Sequence, residues 1–266
     1  MKSFNGKAIY NPSGKAGEYS YWACNFFVGC SNGCEYCYCK KGILSGVLGQ
    51  DKPQLKKCFR DEDHALEVFM REMLLNIDSL REHGLFFTFT SDPMLPDTIS
   101  LTWAAVVQAT IRHIPVKILT KRADFLYDDR LDLKDVKLKH LVAFGFTLTG
   151  HDELERGAST NAERMAAMIK LHNEGFKTFA SIEPVVDFES SKLMISSTIG
   201  FCDLYKIGLM SGKKYDKKEA ESFVVWLEKL PTNVKIYLKN SIRRLITYIP
   251  NRFDNNFVER DYNIFK

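Results

Sequence analysis

Apolar residues fall into two alternating patterns along this chain. Short runs rich in β-branched and aromatic residues, at 21–29, 86–91, 116–120, 141–148, 177–182, 204–210 and 234–238, predict strands. Those at 86, 116, 141 and 177 are nearly continuous in apolar or Thr residues, as in parallel strands covered on both faces. Between the runs the apolar period changes to that of a helix. Leu66, Phe69, Met70, Met73, Leu74, Ile77 and Leu80 keep the three-and-four spacing of one buried face, which predicts a helix from Asp63 as N-cap to Gly84 as stop. A second helix is expected from Thr98, burying Trp103, Val106, Val107 and Ile111 and ending before Pro115. Thr160 and Glu163 have capping-box spacing for a third, and Asp216 and Glu219 for a fourth. Asn240 is the expected cap of a last helix carrying Ile242, Leu245, Ile246 and Ile249.

Strand and helix thus alternate about six times without a flexible linker or repeat. The economical architecture is an α/β fold, a partial (β/α)6 TIM-like barrel in a single domain over residues 21–250, with a doubly wound open sheet as the competitor. Residues 1–20 and 251–266 read as N- and C-terminal extensions.

A length of 266 residues is compatible with one barrel domain, and 45% hydrophobic with 26% charged residues excludes a disordered or low-complexity chain. A formal charge of +4 neither demands nor excludes a polyanionic partner. No run approaches the length of a membrane span and no apolar leader opens the chain, so a cytoplasmic location without a membrane partner is expected. Lys213, Lys214, Lys217 and Lys218, with Arg243 and Arg244, read as solvated charge, and nucleic acid stays open as a partner.

Chemistry concentrates in the cysteines. Of seven, three crowd into Cys30-Ser-Asn-Gly-Cys34-Glu-Tyr36-Cys37, while Cys24, Cys39, Cys58 and Cys202 read as small buried apolar residues. Spacings of four and three let one loop wrap three thiolates around a single centre, and thiolates select zinc, Cu(I) or iron–sulfur clusters. Structural zinc wants a fourth ligand; Cys39, two residues from Cys37, reaches awkwardly, and no second Cys or His pair follows. An electron-transferring cubane would also want four cysteines, whereas three leave one position open, as metal catalysis requires. The alternatives remain a zinc-binding nucleic-acid module and a non-catalytic iron–sulfur sensor or electron carrier.

The C-x3-C-x2-C motif with an aromatic residue before its last cysteine resembles the radical SAM superfamily. The resemblance implies a [4Fe–4S] cluster on Cys30, Cys34 and Cys37, whose open iron is chelated by S-adenosylmethionine (SAM). It further implies reductive cleavage of SAM to a 5′-deoxyadenosyl radical that abstracts hydrogen from a substrate, and a reducing electron donor of flavodoxin or ferredoxin type. Tyr36-Cys37-Tyr38 and Phe89-Thr-Ser-Asp-Pro93 resemble the spore photoproduct lyase-like branch, over roughly residues 20–185. By that resemblance Tyr36, Ser91 and Asp92 lie near SAM, with Ser91 and Asp92 on its methionine moiety and Asp92 an acceptor for the amino group. Lys121 resembles the branch's partner for the SAM carboxylate, and Thr147 its hydroxyl near the ribose. The stretch from Glu155 to Ser159, with Glu163 and Arg164, resembles the family between fourth strand and helix. Glu183, after the fifth strand, is read as an acceptor on the adenosine side. One departure matters: the spore enzyme's hydrogen-returning cysteine is replaced by Thr90, whose O–H bond is too strong for that step, which argues against thymine-lesion repair.

Overall fold

In the computed structural model, which describes residues 3–134, 139–247 and 256–266, the apolar runs become strands, most of them parallel. They are β1 (Ile9–Tyr10), β2 (Ala23–Cys24), β3 (Phe27–Val28), β4 (Gln54–Leu55), β5 (Leu85–Phe87), β6 (Val116–Thr120), β7 (Val142–Thr147), β8 (Lys177–Val185), β9 (Leu204–Leu209) and β10 (Lys235–Leu238). Eight form one sheet in the order β1-β2-β5-β6-β7-β8-β9-β10, and β3 and β4 pair separately. Every neighbour from β2 to β10 is parallel, with Ala23 opposite Phe86, Leu85 opposite Val116 and Val116 opposite Val142; only β1 runs antiparallel, on β2. Beyond the β3–β4 excursion the strands follow one another in chain order without reversal. A doubly wound sheet would reverse at a switch point, so the arrangement is the partial barrel the alternation implied.

Helices α1 (Glu62–Leu75), α2 (Ile77–His83), α3 (Ile99–Ile111), α4 (Asn161–Asn173), α5 (Phe188–Thr198) and α6 (Lys217–Glu228) connect the strands. The capping box of Thr160 and Glu163 is formed, and Asp216 accepts from the Glu219 amide. The expected helix from Asp63 to Gly84 differs in two ways. Asp61 rather than Asp63 is its N-cap, accepting from the His64 amide, and the helix breaks at Asn76. There the Asn76 side chain donates to the Glu72 carbonyl at 2.8 Å while its backbone N–H goes to Met73, so side chain and backbone compete for one acceptor. Asn240 is likewise not a cap but the first residue of a short turn, Asn240–Arg243, preceded by Lys239; Ile249 lies outside the described residues.

Three strands also differ from their apolar runs. The run at 21–29 splits because Asn25 turns its side chain to Tyr10 and to the Phe89 amide. The run at 86–91 leaves the ladder after Phe87, with the Thr90 hydroxyl donating to the Phe27 carbonyl at 2.6 Å. β8 extends to Val185 with a register shift against β9 between Ile182 and Val185, where Pro184 has no N–H for the ladder.

Both terminal stretches are packed into the barrel. Buried Glu72 accepts from the amides of Lys7, Ala8 and Ile9 at 2.7 to 2.9 Å and fixes the N-terminal segment on α1. Tyr19 enters the barrel interior, where the Lys206 ammonium donates to the Glu18 and Tyr19 carbonyls at 3.0 and 3.2 Å. Phe257 bridges Ile236 on the outer side of β10, and Tyr262, Ile264 and Phe265 pack on Tyr19, Phe86, Ala143, Phe179 and Leu204. Phe86, Ala143, Phe179 and Leu204 lie early in their strands, so the tail stops the end of the barrel where those strands begin. Residues 251–255 of the expected C-terminal extension lie outside the described residues. Among the described residues no helix is long and apolar enough to cross a membrane.

Asp187 caps α5 by accepting from the Ser190 amide at 2.7 Å, and its other oxygen holds His151 Nε2 at 2.6 Å; His151 Nδ1 meets Glu153 at 2.7 Å. Burial pulls the His151 pKa down, but the hydrogen bonds to Asp187 and Glu153 outweigh it, and the net shift is upward from 6.5. Burial raises the Asp187 pKa, while the Ser190 and His151 bonds outweigh that and hold it below 3.8. A raised histidine stabilises fully below its unfolded pKa and loses that contribution as pH rises through the folded value. A depressed aspartate stabilises above its unfolded pKa and loses it as pH falls through the folded one. Melting temperature is therefore expected to decline as pH rises above about 6.5, and to do so less steeply in His151→Gln. Parallel profiles for the two proteins would remove His151 from the pH response.

Candidate functional site

The strand ends opposite the plugged face open into a cavity of about 480 Å³. Chain order dictates its walls, because parallel strands all deliver their C-terminal residues to the same side. β6 and β7 end in Thr120 and Thr147, β8 supplies Ser181 and Glu183, and Lys239 follows β10. Cys30, Cys34, Tyr36, Cys37, Ser91, Asp92, Lys121, Thr147 and Glu183, drawn from five separate stretches of the chain, all line this cavity.

The cysteine loop is clamped from several directions. Gly33 lies at φ +65°, a left-handed conformation that lets the loop double back between Cys30 and Cys34. The Gly157 amide donates to the Asn32 carbonyl at 3.0 Å, and a Cβ on Gly157 would stand 2.2 Å from the Ser31 carbonyl oxygen, so only glycine fits there. The Cys30 amide donates to the Gln50 carbonyl at 2.9 Å, and the Glu35 amide to Leu154 at 2.9 Å. Downstream, the Tyr38 hydroxyl donates to the Phe89 carbonyl.

Asp92 is the hub. Its Oδ2 accepts from the Asn32 side chain at 2.7 Å and the Lys121 amide at 2.8 Å; its Oδ1 accepts from the Thr120 hydroxyl at 2.6 Å and the Met94 amide at 3.0 Å. Four donors thus engage the carboxylate and tie the cysteine loop to the ends of β5 and β6. Asp92, expected from the sequence to be an acceptor for a ligand's amino group, lines the cavity while holding these four protein donors. Asp92→Ala leaves four buried donors without an acceptor, at about 1–3 kcal/mol for each one orphaned. Lower stability and faster release of iron from reconstituted protein to a chelator are expected. A release rate equal to wild type would mean that the other clamps suffice.

Beside Asp92, the Ser91 hydroxyl and the Asn32 side-chain oxygen are buried without a hydrogen-bond partner. Unpartnered polar atoms at a cavity wall suit a polar ligand. On the next wall, Tyr36 donates its hydroxyl to Glu155 Oε1, and Lys121 Nζ lies 4.0 Å from that oxygen and 5.4 Å from the Tyr36 ring centre. Glu155 Oε2 is held by Arg164 at 2.5 Å, and both side chains are 0% exposed. Arg164 also donates to the Thr147 carbonyl at 2.5 Å and the Ser159 carbonyl at 2.8 Å, bracing the end of β7. Burial lowers the Lys121 pKa, but Cys34 and Glu155 outweigh it, so the net shift is upward and the lysine is a cation.

A second polar cluster forms where β8 and β10 end. Glu183 Oε2 accepts from the Tyr19 hydroxyl at 2.8 Å and from the fully buried Lys239 ammonium; Tyr19 also meets Ser181 at 2.6 Å. Lys239 Nζ lies 4.2 Å from the Tyr19 ring centre. Burial and the Glu183 charge raise the Tyr19 phenol well above 10. Tyr19, Ser181 and Lys239 were not singled out in the sequence, although Lys239 follows its strand as Lys121 follows β6.

Burial pushes the Cys30 thiol up to about 12 and raises Cys34, while a hydrogen bond with Cys39 lowers Cys37 and raises Cys39. A metal centre must displace the thiol protons, so its binding is coupled to pH. Among the described residues no three His, Cys, Asp or Glu side chains form a closed metal-binding group, though Cys30, Cys34 and Cys37 all line the cavity. The donor set itself fits a thiophilic centre: three thiols on one glycine-hinged loop, with unpartnered polar atoms beside them. Of the remaining cysteines, Cys24, Cys39 and Cys202 are buried as expected, but Cys58 is exposed.

No protein-family profile and no curated protein sequence matches the chain. Solved structures do. A complex of spore photoproduct lyase with dinucleoside spore photoproduct superposes with TM-score 0.55 at 15% identity, over 79% of this chain and 62% of that one. SuiB of Streptococcus suis superposes with TM-score 0.53 at 12% identity, over 80% of this chain and 47% of that one. SuiB bound to the precursor peptide SuiA gives 0.52 at 11%, over 77% and 44%. The chain spans about three fifths of the lyase and less than half of SuiB. The partial barrel described above is the fold shared with both.

Proposed function

We propose that the chain is a radical SAM enzyme that holds a [4Fe–4S] cluster on Cys30, Cys34 and Cys37. The observation that carries this reading is the shared cavity: three closely spaced cysteines, Tyr36 between them, and the polar residues Ser91, Asp92, Lys121, Thr147 and Glu183 at or beyond strand ends line one space. When bound, cluster and SAM together would supply one-electron cleavage of the sulfonium to a 5′-deoxyadenosyl radical. The protein's part is to bind, orient and exclude water.

Ser91, a buried hydroxyl without a partner, is suited to the amino group of SAM, and cationic Lys121 to its carboxylate. Thr147 serves the ribose and Glu183 the adenosine side. Tyr36, anchored through Glu155 to Arg164, lines the same cavity. Asp92 holds the cysteine loop in place rather than contacting SAM. Tyr19, Ser181 and Lys239 give a substrate polar partners beyond the cofactors. Thr90, whose hydroxyl is committed to the Phe27 carbonyl, offers no thiol to return hydrogen, so lesion repair like the lyase's is not part of the proposal. The lyase complex contains a dinucleoside and the SuiB complex a peptide, and both classes belong in a substrate screen. An exposed, reduced Cys58 and six further free cysteines suit a reducing compartment, the cytoplasm.

The test is anaerobic reconstitution with iron and sulfide, followed by dithionite and SAM. Brown protein that releases 5′-deoxyadenosine is the expected result. Colourless protein retaining one zinc per chain would overturn the proposal in favour of a zinc module, and brown protein indifferent to SAM would make it a carrier or sensor.

A further inference from the structure

Beneath the main cavity lies a second, much smaller one of about 10 Å³, and Tyr19 lines both. Tyr262 and Ile264 of the C-terminal tail bound the small cavity, and its walls include two lysines, Lys117 of β6 and Lys206 of β9. Lysine is an unusual filler for a barrel floor whose neighbouring positions are Phe86, Phe179 and Leu204. Lys117 stands opposite Phe86 and Ala143 in the ladder; partners in register share a face, so its side chain enters the interior with theirs.

Neither ammonium group is fully satisfied. Lys206, 4% exposed, donates to the Glu18 and Tyr19 carbonyls at 3.0 and 3.2 Å, which uses two of its three N–H bonds. Half-buried Lys117 meets no acceptor among the described residues: burial alone acts on it, lowering its pKa to about 8, so at neutral pH it is still a cation. Charge is unbalanced as well. Lys239 is answered by Glu183. Glu18, the carboxylate that Lys206 feels, is held by the Tyr237 hydroxyl at 3.1 Å and the Asn240 amide at 2.7 Å rather than by a lysine. Set against Lys117 and Lys206 together, it leaves one positive charge over.

An uncompensated charge in a barrel interior is costly, and it is relieved either by loss of a proton or by entry of an anion. The small cavity suits the second. It has room for one particle of about the size of water. A water there would face two ammonium groups, and the lining side chains offer no carboxylate or amide oxygen to take its protons. We infer that Lys117 and Lys206 together bind one monatomic anion, chloride, beneath Tyr19. Phosphate, carboxylates and nucleotides are too large. The bound ion keeps Lys206 charged and gripping the Glu18 and Tyr19 carbonyls, and so fixes the floor from which the Tyr19 hydroxyl reaches Glu183 and Ser181. The site is separate from the cysteines and does not depend on the proposed function.

Two measurements on the intact chain test it. Crystals transferred from chloride to bromide should show an anomalous peak at the bromine edge between the Lys117 and Lys206 ammonium groups. In solution, melting temperature is compared in sodium chloride and in sodium gluconate, whose anion is too large for the cavity, both at about 0.15 M. Wild type should melt about 3 °C or more higher in chloride, because a ligand that binds only the folded state stabilises it. Lys117→Met should melt within about 1 °C in the two salts. No bromide peak would mean that the lysines shed their protons instead, and would overturn the inference even if the variant does not fold. A bromide peak without chloride dependence in wild type would be an adventitious ion only. An equal chloride dependence in wild type and Lys117→Met would be a general salt effect and would remove the site.

Discussion

Cys34→Ala is expected to abolish SAM cleavage and to reduce reconstituted iron to background, the largest effect any single substitution in the cavity should have. Cys34 is buried in the middle of the loop, between Gly33, whose positive φ sets the turn, and Glu35, whose amide is fixed on Leu154. No neighbouring thiol can move into its place without breaking those clamps. Cys39, the nearest substitute in the chain, hydrogen-bonds Cys37 and donates to the Phe89 carbonyl at 3.7 Å. Cys30→Ala and Cys37→Ala should behave alike, whereas Cys58→Ala and Cys202→Ala should retain full iron. Iron and sulfide analysis with the absorbance near 400 nm checks both arms; a Cys34→Ala protein that keeps a SAM-responsive cluster would sink the ligand assignment.

The second large effect is on stability. Arg164→Met is expected to destabilise the fold by about 3–5 kcal/mol, the usual result of leaving one member of a buried ion pair uncompensated. Glu155 would remain with the Tyr36 and Thr149 hydroxyls and with Lys121 4.0 Å away. The Thr147 and Ser159 carbonyls would lose their donor as well. Glu155→Gln/Arg164→Met should recover much of the loss, because no unpaired charge is then buried. Urea unfolding of the two single variants and the double gives the coupling energy. Strict additivity would mean that the two side chains act through packing and not as a pair.

How much of this was legible in the sequence depends on whether a residue acts through local or remote partners. Val116–Thr120 was readable to the residue because a fully covered parallel strand is a continuous apolar run. The capping box at Thr160 was readable because both of its bonds lie within four residues. The break at Asn76 was not, since it turns on which of two donors in the same residue wins the Glu72 carbonyl. In the cavity, the cysteines announced themselves by spacing, and Lys121 and Thr147 by their position at strand ends. Asp92 was found, but its protein partners were not: its donors come from Asn32, Met94, Thr120 and Lys121, a set that exists only once three separate segments meet. Tyr19 carried no local signal at all. It precedes the first barrel strand in a stretch that reads as periphery, and its inward partners Ser181, Glu183 and Lys239 lie 162 or more residues away.

The stop formed by Tyr262, Ile264 and Phe265 also sets an order of events during synthesis. Phe86 and its neighbours on the barrel axis leave the ribosome long before the residues that will cover them. From Leu204, the last of the four, to Tyr262 is 58 residues, an interval of about 3–12 seconds at about 5–20 residues per second. During it the completed set of Phe86, Ala143, Phe179 and Leu204 lacks its cover. The nascent chain is then a natural client for a chaperone that grips aromatic surface, and the plug's arrival is what releases it.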